Sequence, residues 1–132
     1  MKSTQEVIEN YYRFLQTRDR DGLLTLLSPE IKVIYHAHNS QLPWAGEYEG
    51  INGFDAFLHV IKTHLDIVEV TIVDRIYTEK KAVMQCLGTW KRKSNQHLIK
   101  GSMVNVFTTA NQRITKYEVY ADTAAFESVM NL

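Results

Sequence analysis

The chain is short of the residues that staple, break or span. It has one cysteine, Cys86, so no internal disulfide can form and nothing calls for an oxidising compartment. Two prolines and six glycines in 132 residues leave no linker and no low-complexity tract. Net charge is missing as well: fifteen Lys plus Arg balance fifteen Asp plus Glu. That balance argues against a broad phosphate-neutralising surface, and no nucleic-acid partner is expected. Long apolar runs are absent, and Met1 to Glu6 lacks the apolar stretch of a signal peptide. A cytoplasmic protein with no membrane partner is therefore expected.

What is present is 45% hydrophobic, 23% charged and 11% aromatic, which is globular composition. Residues 1–132 are expected to form one domain, large enough to bury a core without metal or disulfide.

Ser3-Thr4-Gln5-Glu6 reads as a capping box ahead of a helix whose apolar stripe is Val7, Ile8, Tyr11, Tyr12 and Leu15. Asp19-Arg20-Asp21 can cap a second helix through Leu27, closed by Pro29. A strand over Ile31 to His38 follows, then a loop from Asn39 to Gly50. Phe54, Phe57, Leu58, Ile61 and Leu65 place a third helix over Ile51 to Leu65. From Val68 the period becomes extended. Strands are expected to Tyr77, over Ala82 to Arg92, over His97 to Thr109 and over Ile114 to Ala121. Asp122 then caps a closing helix, Thr123 to Met130. The order ααβαββββα is α+β: a cone-shaped, curved antiparallel sheet wrapped around three helices from the N-terminal half.

The segment Leu42-Pro43-Trp44-Ala45-Gly46-Glu47-Tyr48-Glu49-Gly50, followed by Phe54 and Phe57 on a helix, carries a resemblance. It resembles the nuclear transport factor 2-like (cystatin-like) superfamily, in its SnoaL-like and ketosteroid isomerase-related branch. Arg18-Asp19-Arg20-Asp21 and the ending Ile114 to Thr123 fit the same pattern, so the likeness spans essentially the whole chain. It implies a cone fold with an internal pocket and a homodimer joined through the outer sheet face. Counted from Asp19, the oxyanion-donor tyrosine of ketosteroid isomerase falls on Tyr11. The general-base aspartate falls on Tyr35, and the second oxyanion acid falls near Met103 or Val104. Steroid isomerisation by that machinery is not expected. Nor is the Arg-and-two-Asp set of limonene epoxide hydrolases evident, since Val119 stands at the last-strand aspartate.

His36-Ala37-His38 places two imidazoles on one strand face. They could ligate a metal if Glu118 or His97 joined them, but no metal is expected from so short a motif. They could equally act as base and acid, or sit hydrogen-bonded at a strand end. The expected catalytic set is His36, His38, Tyr11 and Tyr35. A small, partly apolar ligand is expected against Phe14, Trp44, Phe57, Trp90, Met103 and Tyr117, with ordinary core packing as the alternative for each. The expected chemistry is cofactor-independent proton transfer on a carbonyl compound, of isomerase or aldol-cyclase type. The alternative is a pocket or association module without chemistry. Asp122 is read as a cap, Cys86 as an inert thiol, and Trp44 either as a pocket lid or as packing against the third helix.

Overall fold

In the computed structural model, which describes residues 2–132, the chain forms four helices and six strands. They are α1 (Thr4–Thr17), α2 (Arg20–Leu26), β1 (Leu27–His36), β2 (Gly46–Glu49), α3 (Gly50–His64), β3 (Leu65–Tyr77), β4 (Lys81–Arg92), β5 (Leu98–Ala110), β6 (Arg113–Ala121) and α4 (Thr123–Met130). The strands make one curved, unclosed sheet in the order β2-β1-β6-β5-β4-β3.

Local chemistry places the boundaries. The Ser3 hydroxyl accepts from the Glu6 N–H while Glu6 reaches back to the Ser3 N–H, so the capping box forms. Asp19 caps α2 at Gly22 N–H and Asp122 caps α4 at Ala125 N–H. Asn111 and Gln112, both at positive φ, make the tight β5–β6 turn.

Three expectations need correction. The sheet is mixed, because β1 runs parallel to β6 while every other pair is antiparallel. The loop from Asn39 to Gly50 contains β2, which pairs with β1 from Lys32 opposite Glu49 to Tyr35 opposite Gly46. Gly46 and Gly50 bracket that strand at φ +120° and +73°, a region L-side chains avoid. Pro29 does not close α2. It lies inside β1, in the irregular stretch between Leu27 and Lys32 where the ladder to β6 is broken and a missing N–H leaves nothing unpaired.

The core lies between the concave sheet face and helices α1, α3 and α4. Val7, Ile8 and Tyr11 of α1, Phe54 and Phe57 of α3 and Phe126 of α4 are all buried against it. Inward-facing strand residues alternate as period 2 requires: Ile31, Val33 and Tyr35 on β1, Ala82, Met84 and Cys86 on β4, Asn105, Phe107 and Thr109 on β5. No described helix is long and apolar enough to cross a membrane.

Candidate functional site

The interior is aromatic and closely packed. Tyr11 contacts Tyr12, Phe54, Phe107 and Tyr117 edge-on, with centroids 5.2–6.5 Å apart. Tyr117 stacks flat on Phe107 at 4.9 Å and meets Phe57 edge-on. Burial raises the pKa of Tyr11, Tyr12 and Tyr117, Tyr117 well above its ordinary value, so these phenols stay protonated hydrogen-bond donors.

One polar pair is set into this packing. Asn105, 4% exposed on β5, donates its amide N–H to the Tyr12 hydroxyl of α1 at 3.2 Å. Its Oδ1 is enclosed and has no partner. The bond leaves the Tyr12 proton free to be given to something else, and it draws the Tyr12 pKa down against the larger upward effect of burial. A donor and an acceptor therefore stand side by side in apolar surroundings, where unmet hydrogen-bonding groups are costly.

Sequence reasoning missed this pair. It counted to Tyr11 and searched Met103 and Val104, whereas the buried polar group is Asn105, two residues along the same strand face as Met103. The available signal was the inward alternation Met103, Asn105, Phe107, in which a carboxamide stands between apolar residues.

The expected site residues separate into groups that do not meet. Tyr35 points inward and is 4% exposed, near Trp44 and Phe57. Burial raises its pKa, only partly offset by the Trp44 indole, and no hydrogen bond of good geometry satisfies its hydroxyl. There it stays a protonated hydrogen-bond donor rather than a base. His36 lies on the opposite sheet face. Its ring stacks on Tyr120 at 4.3 Å, and Nε2 is 3.0 Å from Glu118 Oε1. Lys116 Nζ stands 4.0 Å from the same oxygen. His38 is exposed in the turn after β1, and His97 is exposed at the β4–β5 hairpin. The catalytic set of His36 and His38 with Tyr11 and Tyr35 is thus not brought to one point. Among the described residues no three His, Cys, Asp or Glu side chains cluster as metal ligands. His64 is the imidazole that approaches the interior, 6.3 Å from Trp44.

The expected ligand-lining residues also divide. Phe14 is half-buried beside Gly22 of α2 and packs against the edge of the core. Trp44 and Trp90 meet Phe126 at 5.8 and 5.0 Å, so both belong to the plug that α4 inserts at one end of the cone. Phe57 is fully buried core. Tyr117 and Met103 remain partly accessible, Met103 opposite Cys86 and two residues from Asn105.

This is an α+β cone protein with a phenol and carboxamide pair inside the cone. The sequence model of the SnoaL-like domain matches residues 8–117, and the chain belongs to that family. No curated protein sequence matches it. Among solved structures, a nuclear transport factor 2-like protein of Burkholderia pseudomallei superposes with a TM-score of 0.83 at 21% identity over 100% of both chains. TerC, co-crystallised with polyporic acid, gives 0.79 at 21% identity, covering 96% of this chain and 97% of its own. A Catenulispora acidiphila protein with a ketosteroid isomerase-like fold, in complex with trimethylamine, gives 0.69 at 14% identity over 89% and 86%. At these identities the likeness establishes the fold.

Proposed function

We propose that the protein binds a small, partly apolar compound bearing a carbonyl or phenolic oxygen inside the cone, with that oxygen at Tyr12 and Asn105. The observation that carries this reading is the buried Asn105 amide, bonded to Tyr12 on one side and unmatched on the other. A ligand oxygen accepting from Tyr12, and a ligand hydroxyl donating to Asn105 Oδ1, would complete both groups. The co-crystallisation of TerC with polyporic acid supports a small organic ligand here.

Binding without chemistry is the reading we place first, because Glu118, the one buried carboxylate among the described residues, lies on the outer face with His36. Proton transfer is the second reading, and one observation favours it. A phenol polarised by an amide N–H is an oxyanion donor suited to an enolate. A deuterium-exchange experiment separates the two: with 2-tetralone in D2O, accelerated exchange of the α-protons demands an enzyme, and an uncatalysed rate leaves binding alone.

Calorimetric titration with 2-naphthol tests the site itself. Saturable binding is expected, weakened about tenfold by Tyr12→Phe or Asn105→Leu, the ~1.4 kcal/mol scale of a buried hydrogen bond. No binding, or variants equal to the parent, would remove the reading.

We also propose a homodimer as the working form, on the strength of the apolar side chains left exposed on the sheet.

A further inference from the structure

We propose that the ligand of this site also carries an anionic group, a carboxylate, which Arg75 receives at the rim while Tyr12 and Asn105 hold the oxygen deeper in. This inference rests on the binding reading above and adds the charge of the ligand.

The geometry begins with the register of β3. Ile72 pairs with Cys86, and after the irregularity at Val73 the pairs become Arg75 with Met84 and Tyr77 with Ala82. Met84, Ala82 and Cys86 are buried inward-facing residues of β4. Cross-strand partners share a face, so Arg75 and Tyr77 emerge on the inner side, where α1 presents Tyr12. Without the irregularity, Arg75 would stand on the outer face.

The guanidinium has no acid. Among the described residues it makes no ion pair and no side-chain hydrogen bond, in a chain where Arg20 finds Asp55, Lys93 finds Asp66 and Lys116 finds Glu118. The neighbouring carboxylates keep their charge but make their hydrogen bonds elsewhere. Glu9 of α1, close enough to act on Tyr77, accepts from the Gln5 amide at 2.9 Å. Asp74 accepts the Arg75 backbone N–H and lies opposite the exposed outer-face residue Gln85. What faces the Arg75 charge is a group of weak acids, Tyr12, Tyr77 and Cys86. Burial raises the pKa of each, and the Arg75 charge draws each back down.

From rim to interior the order is therefore an exposed cation, then half-buried Tyr77 and Ile72, then Tyr12 and Asn105. A planar fork matches a carboxylate through two parallel hydrogen bonds. A flat body between a carboxylate and a hydroxyl or carbonyl spans that sequence of groups.

Two probes of one shape decide it: 2-naphthol and 6-hydroxy-2-naphthoate, titrated calorimetrically at low salt. The parent is expected to bind the carboxylate at least tenfold more tightly. Arg75→Ala should make the two equal by weakening only the carboxylate, and Arg75→Glu should reverse the preference. Because Arg75 is exposed, both variants should melt where the parent does. Equal affinities in the parent, or a preference that survives Arg75→Ala, would overturn the assignment of the anion and leave the proposed Tyr12–Asn105 site standing. Failure of both probes to bind would remove the proposed Tyr12–Asn105 site, and this inference with it.

Discussion

His36 and Asn105 show what a sequence reveals one residue at a time. His36 is conspicuous because imidazole is chemically versatile, yet strand alternation sends it to the face opposite Tyr35, where Glu118 and Tyr120 hold it. Asn105 is inconspicuous, and its importance comes entirely from what surrounds it. Opposite faces for Tyr35 and His36 followed from period 2 alone. Which of those faces is concave depends on long-range pairing and cannot be read locally. His36→Ala should consequently leave 2-naphthol affinity within about twofold of the parent, since ~0.4 kcal/mol is the scale of a remote surface change. A tenfold loss would return His36 to the site. Gly88 is a second residue whose role is invisible in sequence. A Cβ there would stand 2.4 Å from Cη2 of Trp90, which folds back over the strand. Gly88→Ala should destabilise the protein by about 1–3 kcal/mol through overpacking, read as a lower urea midpoint with an unchanged slope. An unchanged midpoint would mean that the indole has room to move.

The elements were legible wherever a cap or a period marked them. Ser3, Asp19 and Asp122 each bond the backbone N–H that their position demands, and the five-residue apolar face of α3 fixed that helix to within one residue at each end. Illegible were the features created by pairing: β2, the parallel join of β1 to β6, and the extension of β1 back through Pro29. The Trp44 loop is the instructive element. Trp44 is 1% exposed between Tyr35 and Phe126, and its carbonyl accepts from the Tyr48 hydroxyl at 3.0 Å. That burial fits packing, with Tyr35 and α4 as much as α3 for partners, and it equally fits a lid folded inward. Trp44→Ala should cost about 3–5 kcal/mol, the range for deleting a buried aromatic, measured by chemical denaturation; a variant of parental stability that had lost only ligand affinity would favour the lid.

A second link between elements, Arg20 of α2 with Asp55 of α3, is bidentate at 2.7 and 2.8 Å. It was not legible either, since nothing in the spacing joins residues so far apart. The hydrogen bond from Arg20, with its charge, holds the Asp55 carboxyl below its ordinary 3.8. A group with a lowered folded pKa contributes fully above its unfolded value and loses that contribution as pH falls through the folded one. Asp55→Asn should lower the melting temperature slightly at pH 6, and the gap from the parent should close below pH 4. Both groups are largely solvated, so the effect is small. A gap that stays constant down to pH 2 would show that the pair is not its source.

For the whole molecule, composition and period were enough for an α+β cone, but they said little about its surface. The exposed apolar side chains concentrate on the sheet. Ile67, Val68, Val73 and Ile76 of β3 are each about half exposed or more, as are Leu87 of β4 and, nearly, Tyr120 of β6. The outer sheet face was expected to supply such a patch. The edge strand β3 adds Ile76, opposite Val83, to that outer face, while Ile67, opposite inward-facing Trp90, lies on the inner side. Bulges at two points of β3 interrupt its pairing with β4 and twist it, which discourages open-ended edge-to-edge growth. Face-to-face packing of two copies, as proposed above, would cover the outer side and close on itself. Half-buried Val83, Val104 and Val106 lie on that face between Leu87 and Tyr120 and give the patch continuity. Sedimentation equilibrium at micromolar concentration should therefore report roughly twice 15.3 kDa. Leu87→Lys with Tyr120→Lys should halve that mass and leave the far-ultraviolet circular dichroism unchanged, because neither side chain enters the core. A parent that sediments as a single chain would remove the dimer, and a double variant that stays dimeric would move the interface to the β3 edge.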